Sequence, residues 1–227
     1  MTAREVITLN ESTPQLEAPQ VGDVYLMPRT VVLGSDIVTP SVSGVGMKVG
    51  DAASSVYGWE DITGTIETKG GGTDPTWTII DTGPFYAYLF AVDDECWMVY
   101  HLPHDYAPGT DIYLHVHWRP SGTSTNSVKW QYTYAIAKGH QQSQFSTTGT
   151  TVTSEQTPEG TAWTHQISET AAISSSELEV DALIVVNIKR ITNGGSENND
   201  SIFVDTADVH YQSTNVATKN KAPNFYT

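Results

Sequence analysis

Cysteine is almost missing from this chain. Cys96 is the only one in 227 residues, so no intrachain disulfide can form, and a small disulfide-stapled scaffold is excluded. Charge is scarce as well. Charged residues make up 16% of the chain, too few for an ordinary helical enzyme with solvated helix faces. Positive charge is the scarcest kind: 11 Lys and Arg stand against 26 Asp and Glu, a formal net charge of −15. Nucleic acid is therefore not expected as a direct partner, because neutralising phosphates takes Lys and Arg. The same surplus favours solubility and mutual repulsion of free copies. No window is apolar for the length of a membrane span, so no membrane partner is expected. Met1-Thr2-Ala3-Arg4-Glu5 opens no apolar run, and no signal peptide is expected. Several catalytic and binding motifs are missing too. No Ser lies in a G-x-S-x-G elbow. Gly70-Gly71-Gly72 lacks the Lys-Ser/Thr of a phosphate loop. Neither Asp93-Asp94-Glu95 nor Glu197-Asn198-Asn199-Asp200 has EF-hand spacing.

Thr, Ser, Gly, Val, Tyr and Trp fill the space, which is the composition of strands and turns. From Trp59 onward, short alternating runs follow one another, separated by Gly, Pro, Asp and Asn. Val128 to Ala137 alternates throughout, with Val128, Trp130, Tyr132, Tyr134 and Ile136 on one face. Further strands are expected at Trp77–Ile80, Phe85–Phe90, Cys96–Tyr100, Thr147–Thr153, Trp163–Ile167, Leu183–Ile191 and Ile202–Tyr211. Phe85–Phe90 is aromatic on both faces, which predicts burial on both sides. Ser174 to Leu178 is the one helical turn. Eight to ten strands without an ordinary helix predict an all-β fold, an antiparallel two-sheet jelly-roll sandwich with extended terminal arms. The expected divisions are an N-terminal arm (1–20), a Gly/Ser-rich β/loop region (21–58), the jelly roll (59–214) and a C-terminal arm (215–227). Trp118, Trp130, Tyr132, Val186 and Ile188 should form the core.

One strand raises a chemical question. In Asp111-Ile112-Tyr113-Leu114-His115-Val116-His117-Trp118, Ile112, Leu114, Val116 and Trp118 line one face, and Tyr113, His115 and His117 line the other. An H-x-H pair on a strand can grip Zn, Fe or Mn. Gly109 followed by His115-Val116-His117 resembles the first half of the metal-binding cupin motif. The carboxylate expected three or four residues later would fall near Ser121 or Gly122, and neither can serve. The expectation is therefore no cofactor, no catalytic residue and no stoichiometric metal, with the histidines hydrogen-bonded to neighbouring strands. His101, His104 and Asp105 share a Pro-bracketed turn. Cys96 lies in an apolar aromatic strand and reads as an inert core thiol.

Two stretches carry a family resemblance. His101-Leu102-Pro103-His104-Asp105-Tyr106-Ala107-Pro108-Gly109-Thr110 running into Asp111–Trp118 resembles a block of tailed-bacteriophage structural proteins. Ile188-Lys189-Arg190 with Asp200–Tyr211, ending Asp208-Val209-His210-Tyr211, resembles the closing strand pair of phage virion jelly rolls. The resemblance implies a non-enzymatic capsid cement (decoration) protein that bridges major capsid subunits. Implied partners are the major capsid protein and sister copies in a dimer or trimer, on a capsid surface assembled in the host cytoplasm. The alternatives are a tail, neck or glycan-binding receptor protein, and a cupin-like metal enzyme using His115 and His117. In the C-terminal arm, Lys219 and Lys221 lack neighbouring acids, and Phe225 and Tyr226 follow. These four residues are the expected partner contacts, since aromatics dominate interface hot spots.

Overall fold

The computed structural model describes residues 56–71, 73–215, 221–223 and 225, together with the backbone of five short strands nearer the N-terminus. Those five are β1 (Ala3–Glu5), β2 (Val24–Leu26), β3 (Val31–Leu33), β4 (Asp36–Pro40) and β5 (Met47–Lys48). Strands β1 and β2 pair in parallel, and β3, β4 and β5 form an antiparallel set. The remainder of the expected N-terminal arm lies outside the described residues, as do Lys219 and Tyr226.

Ten strands build the body: β6 (Gly58–Thr63), β7 (Thr76–Ile79), β8 (Tyr86–Phe90), β9 (Glu95–His101), β10 (Tyr113–Pro120), β11 (Val128–Ala137), β12 (Thr150–Gln156), β13 (Gln166–Glu169), β14 (Leu183–Ile191) and β15 (Ile202–Ser213). A 3-10 turn at Ser175–Glu177 is the only helical piece among the described residues. The first sheet runs β13-β10-β15-β8-β7, with β6 pairing the far half of β15; the second runs β12-β11-β14-β9. From β8 onward the chain changes sheet at every connection except the β11–β12 hairpin, giving an all-β jelly-roll sandwich.

Strand alternation explains the layers. Leu114, Val116 and Trp118 of β10 are no more than 1% exposed, and they face Trp130, Tyr132, Val186 and Ile188 of the second sheet, all at 2% or less. This is the expected core. Two of its polar groups are satisfied locally: Trp118 Nε1 donates to Ser168 Oγ at 2.8 Å, and the Tyr132 hydroxyl donates to the Ser168 carbonyl at 3.0 Å. Cys96 is buried, and burial pushes its thiol up to about 12, so it is inert.

Two strand expectations need correction. Phe85–Phe90 is not buried on both sides: Phe85 and Tyr86 are exposed. The first sheet is wider than the second, so β7 and β8 overhang it and part of their core-side face stays open. The strand expected at Trp163–Ile167 starts later, at Gln166. Trp163 adopts φ 64° in a turn, donates its backbone N–H to the Pro120 carbonyl at 2.8 Å, and lays its ring against Phe203.

Candidate functional site

The outer, solvent-side face of the first sheet carries a polar strip across three strands. Registry puts His115 of β10 opposite Glu169 of β13 on one side and Asp208 of β15 on the other. A β-bulge decides which way Asp208 points. Between His117 and Trp118 the pairing with β15 slips by one residue: His117 faces Thr206, while Trp118 faces Val204, leaving Asp205 as the extra residue. Without that slip, Asp208 would share the inward face of Val204. With it, Ala207, Val209 and Tyr211 point into the core, and Asp208 turns to the histidine face. Bulges re-aim side chains in just this manner.

The resulting cluster is tight. His115 Nδ1 lies 3.2 Å from Asp208 Oδ1, and His117 Nε2 lies 2.6 Å from Asp208 Oδ2. The outer nitrogens are also engaged: His115 Nε2 is 2.7 Å from Glu169 Oε2, and His117 Nδ1 is 2.8 Å from His165 Nε2. His210 sets its ring against His115 at 4.9 Å, and Trp59 covers His210 at 4.6 Å. His115 and Asp208 are buried, with side chains 8% and 5% exposed. Burial alone would raise the Asp208 carboxyl, but His115 and His117 outweigh it and hold it down to about 2. Burial alone would lower His115; Asp208 and Glu169 outweigh that and leave it raised.

The missing-carboxylate premise read from the sequence therefore fails. The acid comes from β15, ninety-one residues after His117, rather than from the loop after β10. The signal was available, since Asp208-x-His210 alternates on its strand as His115-x-His117 does. Pairing the two needs the registry and the bulge. Glu169 and His165 had no comparable signal.

A second histidine cluster surrounds Asp181. His101 Nε2 and His104 Nε2 lie 3.2 and 2.9 Å from Oδ1, and His140 Nε2 lies 3.0 Å from Oδ2. The carboxylate near His101 and His104 is thus Asp181. Asp105 instead accepts hydrogen bonds from the Tyr211 and Ser213 hydroxyls. Phe225 packs edge-on against His104 at 5.8 Å and tilted against His140 at 6.0 Å, and is 2% exposed. Of the four expected partner contacts, Phe225 is engaged within its own chain, because the pocket over His104 and His140 takes its ring. Lys221 is exposed, and Lys219 and Tyr226 lie outside the described residues.

A third feature is the overhang. Registry pairs Trp77 with Tyr88 and Ile79 with Tyr86 on one face of the β7–β8 hairpin. Trp77 stacks on Tyr86 with 23° between planes and centroids 5.9 Å apart. Trp77 and Tyr88 also border an open cavity of about 390 Å³, shared with Gly64, Thr65, Ile66 and Asp205.

No protein-family model and no curated protein sequence matches the chain. Solved structures give distant likenesses. A family 11 carbohydrate-binding module from Clostridium thermocellum, in complex with a β-1,3-1,4-mixed-linked tetrasaccharide, is 16% identical with a TM-score of 0.31, covering 74% of this chain and 96% of its own. Eiger TNF from S. frugiperda is 8% identical at 0.24, covering 71% and 98%. An infectious bursal disease virus (Gt strain) chain is 12% identical at 0.24, covering 80% and 45%. Scores this low leave function to be argued from the molecule itself.

Proposed function

We propose that the protein is a non-enzymatic structural component of a phage particle, a jelly roll that attaches to the capsid surface as a cement or decoration protein. The observation that carries this reading is the overhang. Trp77, Ile79 and Tyr86 are 58%, 41% and 52% exposed and lie together on one face of the edge hairpin of an acidic chain. A cluster of large apolar side chains left open beside a rigid core marks a docking surface. Its edge strand β7 also presents backbone groups to a neighbour. The sequence resemblance to phage virion jelly rolls supplies the partner class, the major capsid protein or a sister copy.

The test is attachment to purified particles by Trp77→Ala and Tyr86→Ala variants, alongside localisation of the chain in a particle map. Both side chains are exposed, so the variants should fold. Each should weaken attachment by about 2 kcal/mol, roughly 30-fold in Kd, as expected for truncating an aromatic hot spot. Unchanged attachment would remove the overhang from the interface. Absence of the chain from particles would overturn the virion reading.

A second reading follows from the same rings. Trp77 and Tyr88, tilted by 57° with centroids 4.8 Å apart, border the cavity that also holds Asp205, and aromatic faces beside a polar group are the kind of surface on which sugar rings pack. In that case the protein is a glycan-contacting virion component. Affinity electrophoresis in soluble polysaccharides separates the readings: retardation abolished by Trp77→Ala supports glycan contact, and no retardation leaves protein docking.

A further inference from the structure

We propose that His115, His117 and Asp208 form a binding site for a divalent transition metal, Zn²⁺ foremost, that staples β10 to β15 on the outer face of the jelly roll. The inference is independent of the virion reading. It starts from where each ring nitrogen points. A neutral imidazole has one N–H. His115 uses its own on Glu169 through Nε2, at 2.7 Å, which leaves Nδ1 as a lone pair 3.2 Å from Asp208 Oδ1. Donation from His117 Nδ1 to His165, at 2.8 Å, leaves Nε2 as a lone pair 2.6 Å from Asp208 Oδ2. With the rings in these tautomers, two lone pairs and a carboxylate converge, an arrangement that repels unless a metal cation or a proton lies among them.

The alternative is that protons fill the gap. Hydrogen-bond alignment speaks against it: both His117 Nε2 and Asp208 Oδ1 are buried without a hydrogen-bond partner, although their neighbours are within contact distance. Close, buried and misaligned for a proton is the geometry of ligands aimed at a shared point. One nitrogen from each histidine and one carboxylate oxygen lie within 4.8 Å of one another. Neighbouring ligand atoms of a tetrahedral Zn²⁺ sit about 3.4 Å apart, given bonds of about 2.0–2.2 Å, so shifts on the order of 1 Å close the set. Imidazole nitrogens with a carboxylate suit Zn²⁺, and more generally the borderline divalent metals. The surroundings match what metal-bound histidines need. Glu169 on His115 and His165 on His117 hold the outer nitrogens and fix ring orientation. The bulge at Asp205 turns Asp208 to this face. Because the ligands come from β10 and β15, and their supports are Glu169 of β13 and His165 just before it, a bound ion ties three neighbouring strands together.

The experiment uses the full chain, stripped with a chelator and titrated with Zn²⁺ by calorimetry, with metal content after dialysis read by elemental analysis. The expected result is one Zn²⁺ per chain, with a raised Tm. His117→Ala and Asp208→Asn should lose saturable binding. His165→Ala alters an exposed side chain and should retain the fold while weakening binding about 10–100-fold, the range for outer-sphere partners. His140→Ala, at the Asp181 cluster, should bind like the parent. If Asp208→Asn does not fold, His117→Ala and His165→Ala decide. Failure of the parent chain to bind saturably overturns the proposal. So does binding unchanged in His117→Ala, or loss in His140→Ala, which would put the metal at Asp181.

Discussion

Trp130→Ala is expected to destabilise the protein by about 3–5 kcal/mol, the usual cost of truncating a buried large aromatic. Trp130 is fully buried between the sheets and meets Phe90 edge-to-face at 5.5 Å. Its flanks are fixed by pairing with Ser154 on one side and Arg190 on the other, so the site cannot collapse far to fill the hole. Its indole N–H has no hydrogen-bond partner, so truncation loses side-chain packing and no hydrogen bond. The loss should appear as a lower urea midpoint with an unchanged m-value. Trp77→Ala removes the same side chain at a 58% exposed position and should stay within about 0.5 kcal/mol of the parent. Equal effects from the two variants would contradict the assignment of core and overhang.

That contrast shows what was legible in the residues. Trp130 could be placed because β11 alternates without interruption, and a period of two assigns every side chain to a face. The same rule put Leu114, Val116 and Trp118 inward and the two histidines outward. It failed at β8, where Phe85–Phe90 has the composition of a buried strand but overhangs the narrower sheet. Sheet width is a property of the whole topology, and no local pattern encodes it. It failed again at Asp208. Reading β15 as an unbroken alternation from Val204 points that carboxylate into the core, and only the slip opposite His117 reverses it. The cluster of His115, His117 and Asp208 was therefore half visible. The H-x-H pair is local, whereas its acid and its supports come from strands distant in sequence.

The tail sets the second large effect. Phe225 was among the expected partner contacts; within its own chain its ring is 2% exposed, lies against His104 and His140 and belongs to the main core cluster. Phe225→Ala should cost about 1.5–3 kcal/mol, the transfer free energy of a fully buried phenylalanine. Any cavity left in the core cluster would add to that cost. Removing residues 215–227 should leave every strand in place and lower stability by a similar amount, read as a shift in urea midpoint. Acid should act on the same contact. Burial tends to raise the Asp181 carboxyl, but the His140 hydrogen bond and the charges of His104 and His101 outweigh it, so it titrates below the ordinary carboxylate value. A carboxyl with a folded pKa below its unfolded one adds stability above the unfolded value and loses it as pH falls through the folded one. This share of the stability should therefore fade as the pH falls below about 4. Asp181→Asn should remove this share of the acid sensitivity, and hydrogen exchange at His104 and His140 should report loosening of the Phe225 contact over the same range. A Phe225→Ala variant as stable as the parent at pH 7 would show that the ring contributes nothing to the fold and would return it to the role of a partner contact.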